Sequence, residues 1–239
     1  MRPLRVLDLY CGAGLVADGL LAAGCEVVGV DLLYQPSYPG QFLQHDALTL
    51  TDSFLDSFAA IWASPPCLRE TVMRSAPGAK GDEHPDLITP TQSMLDRWAA
   101  RTGGKFIIEN VANTRRLRDP VILCGSMFGL GVEDGRRRFH LERHRKFETN
   151  WPLAAPCACQ HQQPVVGCYG AHARVRAASA GGRGTRDTWA RPHREIMADA
   201  MGVRRRDLTA ADISQGIPPA YSQYVVEQLL AHIEERAAA

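Results

Sequence analysis

An α/β fold, with a parallel sheet covered by helices, is what the sequence predicts, and three observations carry that prediction. Apolar stretches with strand character recur along the first half: "LRVLDLY", "CEVVGVDLL", "AAIWAS" and "KFIIENV". Helical spacing lies between them, in "VADGLLAAG" and in the capped stretch "TPTQSMLDRWAARTGG". The first strand turns through the small residues of "CGAG" into its helix, which stops at a glycine before the second strand, so the start of the chain is a βαβ unit. Strands that alternate with helices in this way belong to parallel sheets.

The pattern changes after residue 150. Residues 151–206 are rich in Pro, Gly, Cys and Arg with little periodicity and read as a small, loop-rich region. The end, "YSQYVVEQLLAHIEERAAA", is an amphipathic helix expected to return to the first domain. At 239 residues and 45% hydrophobic, the chain can build one large α/β core with a small insertion. No window approaches the roughly 18 apolar residues of a membrane span, and "MRPLRVLDLYCGAG" lacks a signal-peptide core, so a cytoplasmic setting without membrane contact is expected. Seven cysteines are too sparse for a disulfide scaffold, and in a reducing compartment they should be thiols.

A net charge of +1 conceals a segregation. Residues 136–206 carry 15 Lys/Arg against 5 Asp/Glu, whereas the remainder carries 12 against 21. A solvated surface is one reading; an electrostatic footprint for a polyanion is the favoured one.

Two stretches carry chemistry. In "DLYCGAG" the glycines follow a strand and open a helix, so backbone can approach a ligand and the helix N-terminus can face a polar group. Asp31 closes the next strand 19 residues after Gly12, where a carboxylate would receive ribose hydroxyls. The spacing of Gly12, Gly14 and Gly19 is not that of dinucleotide binders, which favours a nucleoside cofactor without pyrophosphate. Turn-forming glycines and an ordinary strand-end acid are the bland alternative. Asp46 is placed to accept from an adenine amino group and could equally cap a helix. The second stretch is "WASPPCLRET", which holds Cys67 behind two prolines where a strand stops. An isolated cysteine is usually a small buried hydrophobe, so its surroundings decide its role.

Taken together, these residues resemble the cytosine C5 DNA methyltransferases, most closely compact phage-type members. "DLYCGAG" is similar to that family's cofactor loop, "GVD" to its ribose-binding acid, "SPPC" to its Pro-Cys nucleophile loop, "IIENV" to its Glu-Asn-Val strand, and "SQGIPPAYSQYVVEQL" to its closing motif, in the family's order. The resemblance implies a Rossmann-like S-adenosylmethionine-dependent methyltransferase fold. Residues 1–150 would be catalytic and cofactor-binding, 151–206 a small target-recognition region, and 207–239 a return to the catalytic domain. It implies S-adenosylmethionine held by Asp8, Tyr10, Cys11, Gly12, Ala13, Gly14, Leu15, Asp31, Leu32, Asp46, Pro66, Gln215, Gly216 and Ile217. Cys67 would add to carbon 6 of a flipped cytosine, making carbon 5 nucleophilic enough to take a methyl group. Glu109 would serve as general acid near ring nitrogen 3. In "LERHR", Arg143 and Arg145 take the place of the family's paired arginines, with Arg136 and Arg138 of "GRRRF" as the rival placement.

Double-stranded DNA is the expected partner, through Arg136, Arg137, Arg138, Arg204, Arg205 and Arg206 on phosphates and Arg174 or Arg176 at base edges. A monomer is expected, with a cognate restriction enzyme as partner where one exists. The same chemistry on a tRNA cytosine and a catalytically silent nucleic-acid-binding relative are the alternatives. Departures from the family are Leu68 in place of the Gln that follows the nucleophile, Tyr10 for Phe, and Gln215 nearest the missing closing-motif Asn. Cys157, Cys159, His161 and Cys168 raise the question of zinc, but their spacing is not a standard structural one, and no metal is expected.

Overall fold

The computed structural model describes residues 3–66, 86–176 and 189–238. In chain order the first half runs β1 (Arg5–Leu9), α1 (Leu15–Ala22), β2 (Glu26–Asp31), β3 (Gln41–Gln44), α2 (Asp52–Leu55), β4 (Ala60–Ala63), α3 (Ile88–Thr102), β5 (Lys105–Val111) and β6 (Val121–Leu123). The second half adds β7 (Gly131–Asp134), β8 (Arg137–Leu141), β9 (Arg145–Thr149), β10 (Val165–Tyr169), β11 (His172–Arg176), α4 (His193–Met201), α5 (Ala210–Gln215) and α6 (Pro219–Ala238).

Seven strands form one sheet in the order β3-β2-β1-β4-β5-β9-β6. The first five are parallel, and β9 runs antiparallel between β5 and β6. Strand order reverses between β1 and β4, and the crevice outside the carboxyl ends at such a reversal is where open α/β sheets bind ligands. Alternate residues serve the two faces. Val6, Val27, Trp62 and Ile107 pack toward α1 and α6, while Leu7, Val28, Ile61 and Ile108 pack toward α3. This is why the strands read as nearly continuous apolar runs.

Helix α3 begins at Ile88, because the Asp86 carboxylate accepts the N–H groups of Ile88 and Thr89, and it closes on Gly103 at φ 72°. Helix α6 lies along α1. The Ser222 hydroxyl donates to the Val16 carbonyl (2.9 Å), and a Cβ at Gly19 would run into the Pro219 carbonyl oxygen. Gly19 therefore belongs to this helix contact: the roughly 1 kcal/mol of helix propensity that alanine would add is outweighed by a clash with backbone.

A second sheet, β11-β10-β8-β7, packs its Val132, Phe139, Val166 and Ala173 against Ile196, Met197, Ala200 and Met201 of α4. The region expected to be loop-rich thus contains β10, β11 and α4, and its sheet takes β7 and β8 from upstream of residue 151. Of these short strands β10 is buried from Val165 to Cys168, whereas β8 buries only Phe139 and Leu141 and starts with the exposed Arg137 and Arg138. Among the described residues no helix is long and apolar enough to cross a membrane.

Candidate active site

The turn after β1 is built from left-handed backbone. Tyr10 (φ 59°), Gly12 (φ 49°) and Gly14 (φ 87°) fold the chain back before α1, and Gly14 caps the helix. A side chain at Gly14 would strike Tyr38 and Pro39, whereas beside Gly12 the space is open. The Gly12 N–H donates to Asp31 Oδ2 (3.0 Å) and the Leu33 N–H to Asp31 Oδ1 (3.0 Å), so the strand-end acid first builds the loop that faces it. Asp46 caps the 3-10 turn Ala47–Thr49 by accepting the Leu48 N–H (2.9 Å). Leu32 is 67% exposed beside it. Asp31 ends β2, and Asp46 and Pro66 follow β3 and β4, so parallel strands deliver them to one edge with the β1 turn.

Asp8 lies under this loop, fully buried. The Tyr38 hydroxyl donates to its Oδ2 (3.1 Å) and its Oδ1 has no hydrogen-bond partner. Burial pushes the carboxyl up to about 8, opposed by the Tyr38 hydrogen bond and reinforced by Asp31. The Tyr10 hydroxyl is hydrogen-bonded to Thr91 Oγ1 (2.8 Å), which ties the loop to α3. Cys11 is buried, and burial first of all pushes its thiol up, so it is a packing residue. Ala13 presents its carbonyl to Arg205, and Leu15 fills the space beside Gly216, where a Cβ would collide with it. Ile217 is buried and Gln215 exposed.

At the end of β5, Glu109 is buried with the Nε of Arg145 3.1 Å from its Oε1. Burial raises the Glu109 carboxyl above the usual carboxylate range, against the pull of Arg145, a Ser64 hydrogen bond and Arg143. Next to it, Asn110 donates through Nδ2 to the Pro65 carbonyl (2.9 Å), and Trp62 Nε1 donates to Ser64 Oγ (3.0 Å). The Ser64–Pro65–Pro66 segment is thereby fixed beside the acid. Cys67 and Leu68, which follow it, lie outside the described residues.

Arg143 departs from its expected role. It is buried with φ 36°, and its guanidinium donates to the carbonyls of Cys168 (2.9 Å), Ser214 (2.7 Å) and Gly216 (3.2 Å). Desolvation and the neighbouring Arg145 bring it down to about 10. It fastens β10 to the closing segment, and of the "LERHR" arginines only Arg145 meets Glu109.

The expected phosphate contacts divide in the same way. Arg136, Arg137 and Arg138 are exposed around the β7–β8 turn, with Arg137 over the Phe139 ring and Arg138 donating to the Gly129 carbonyl (2.9 Å). Arg204 and Arg206 are exposed. Arg205 instead points inward, donating to the carbonyls of Ala13 (3.0 Å) and Ser37 and pairing with Asp18 (3.4 Å) and Asp207 (2.7 Å). A guanidinium so committed is a brace of the turn after β1, which corrects its reading as a phosphate contact. Arg174 and Arg176 stand on β11, opposite Gly167 and Val165 of β10.

The cysteines of the inserted region also separate. Cys168 is buried in the second core and Cys157 is exposed, while Cys159 and His161 converge on Cys124 and His144. Sequence reasoning missed Tyr38, Thr91, Cys124 and His144. Ser64 and Asn110 lie inside the quoted "SPPC" and "IIENV", and Cys159 and His161 were weighed for zinc with Cys157 and Cys168, whereas the residues they meet are Cys124 and His144.

No protein-family model and no curated protein matches the chain. Solved structures match it in fold over nearly its whole length. A prophage-encoded E. coli protein described as a DNA modification methyltransferase is 13% identical, covering 97% of this chain and 99% of its own, with a TM-score of 0.59. The S. pombe Dnmt2 methyltransferase is also 13% identical, with coverage of 96% and 99% and a TM-score of 0.59. The Entamoeba histolytica methyltransferase EhMeth is 8% identical, with coverage of 98% and 99% and a TM-score of 0.57. The chain has the Rossmann-like α/β fold of these methyltransferases.

Proposed function

We propose that the chain is a cytosine C5 methyltransferase, with duplex DNA as substrate and S-adenosylmethionine as methyl donor. The buried Glu109–Arg145 pair carries this reading, because it stands beside the fixed Ser64–Pro65–Pro66 segment that leads directly into Cys67. The likeness of fold to methyltransferases supports it.

The donor set fits the cofactor. Asp31 keeps lone pairs for a ribose diol after binding Gly12 and Leu33, Gly12 leaves open space, Leu32 offers an exposed apolar side chain, and Asp46 retains an oxygen for an adenine amino group. When bound, S-adenosylmethionine supplies an electrophilic methyl group. The chain supplies the rest. Cys67, as thiolate, forms a bond to carbon 6 of the flipped cytosine and pushes electron density toward carbon 5 and nitrogen 3. Glu109 holds a proton more readily than an ordinary carboxyl and shares it with nitrogen 3 as that density arrives. Arg145 orients the carboxyl from the neighbouring strand. After methylation, the carbon 5 proton passes to a base from solvent, the carbon–sulfur bond breaks with its electron pair leaving on sulfur, and the proton at nitrogen 3 returns to Glu109, so the aromatic ring, the Cys67 thiolate and the protonated carboxyl are restored. Exposed Arg136, Arg137, Arg204 and Arg206 supply positive charge for the phosphate backbone.

The test offers labelled S-adenosylmethionine with duplex DNA or tRNA to the purified chain. Label on carbon 5 of DNA cytosine is expected, and its loss by about 10² to 10⁴-fold in Glu109→Gln, the range of general acid catalysis. Label on tRNA alone reassigns the polymer; label on neither overturns the reading.

A further inference from the structure

We propose that Cys124, His144, Cys159 and His161 form a tetrahedral zinc site that fastens the segment between β9 and β10 to the end of β6 and to the start of β9, the strand that carries Arg145. The four residues come from three places. Cys124 caps the 3-10 turn Gly125–Phe128 after β6, His144 lies between Arg143 and Arg145 ahead of β9, and Cys159 and His161 sit in a stretch with neither helix nor strand. Their ligand atoms all lie within 4.8 Å of one another.

Three of the six separations are close to the edges of a coordination tetrahedron. An edge is about 1.63 bond lengths, so zinc bonds of about 2.05 Å to nitrogen and 2.3 Å to sulfur imply N···N near 3.4 Å and S···N near 3.6 Å. The observed values are 3.2 Å for His161 Nε2 to His144 Nε2, 3.5 Å for Cys124 Sγ to His161 Nε2, and 3.5 Å for Cys159 Sγ to His144 Nε2. Both imidazoles turn the same nitrogen inward, and two sulfurs complete a soft S₂N₂ set, which selects zinc over magnesium or calcium. Four protein ligands make a closed, structural site.

The surroundings support the ligands. Ser126 Oγ donates to Cys124 Sγ (3.2 Å) and itself accepts the Gln160 N–H (3.1 Å). Glu142 Oε1 stands 3.9 Å from His161 Nδ1, on the far side of the ring from the cluster, where a carboxylate orients a ligating imidazole. Cys157, two residues before Cys159, takes no part. Binding would displace both thiol protons to solvent, leaving a neutral centre of one dication and two thiolates. Its consequence for the active site rests on the reading above: a metal on His144 would fix the start of β9 and with it Arg145.

Metal content tests this without any assay of methyl transfer. The full chain, purified with zinc supplied and desalted, should hold about one zinc per chain, falling below about a tenth in Cys159→Ala and in His144→Ala while Cys157→Ala keeps it. Because a ligand variant could fail to fold, cobalt substitution of the unaltered chain gives a second measurement: intense tetrahedral ligand-field bands with thiolate charge transfer are expected. Unaltered protein without stoichiometric zinc, a Cys159→Ala variant that retains it, or a weak octahedral cobalt spectrum would each overturn the site.

Discussion

At the carboxyl edge of the large sheet, Gly12, Asp31 and Asp46 meet because parallel strands bring their ends to one line. In residues 136–206, arginines that look alike in sequence meet opposite fates: Arg145 pairs with Glu109, and Arg143, two residues earlier, is buried under three carbonyl groups. A carboxylate at a strand end can be located from its position in the sequence. An arginine reveals its task only through its partners, since the same guanidinium can neutralise a phosphate, orient an acid or satisfy buried carbonyls.

The largest expected effect separates the two neighbours. Arg143→Met should cost about 3 to 5 kcal/mol of stability by stranding buried acceptors. Arg145→Met should cost about 1 to 2, because Glu109 can take up a proton, yet methyl transfer should collapse. Denaturant titration beside a transfer assay reads both. Equal stability losses would erase the distinction between the two arginines.

The carboxyl edge makes a pH-dependent forecast of smaller size. Burial raises Asp8 to about 8, above its unfolded value, so the folded state holds a proton that the unfolded state has released. That stabilisation is complete below the unfolded value, near pH 4, and is lost as pH rises toward about 8. Between pH 5 and 7 the loss should amount to roughly 2 to 3 kcal/mol, at about 1.4 per pH unit, and Asp8→Asn should flatten it. An unchanged slope in the variant would place the titration elsewhere.

Smaller still is the effect at the basic surface. Replacing Arg204 and Arg206 together should lower the slope of log binding constant against log salt by about 1 to 2 on duplex DNA, at about 0.9 per phosphate. Arg205→Ala should leave that slope alone and weaken cofactor binding instead, since it braces Ala13 and Ser37. A salt slope that falls equally in both variants would return Arg205 to the phosphates.

The same contrast explains what could be read from the sequence. Four of the five parallel strands, β1, β2, β4 and β5, were legible because both faces are buried and their apolar runs are nearly continuous, whereas β3 (Gln41–Gln44) begins and ends on exposed glutamines. The second sheet was not, because strands such as Arg137–Leu141 bury only Phe139 and Leu141 and expose arginine between turns. Asp31 was legible as a strand-end acid, though its hydrogen bonds to the loop backbone were not. The alternation in "RHR" suggested two equivalent arginines, but β9 starts only at Arg145, and Arg143 sits before it in left-handed backbone. The short spacing of Cys159 and His161 could raise the question of a metal, but Cys124 lies 37 residues before His161 and His144 in a third place, and no local spacing could announce those two partners.

Covalent trapping tests the central claim most directly, that the carboxyl edge performs thiol-dependent methylation of cytosine. Duplex DNA carrying 5-fluorocytosine cannot lose a proton from carbon 5, so incubation with S-adenosylmethionine should leave a denaturation-resistant protein–DNA adduct. Peptide mapping should place the bond at Cys67, and Cys67→Ser should form none while binding the cofactor normally. An adduct that persists in the serine variant, or methyl transfer to cytosine that proceeds without Cys67, would contradict the account.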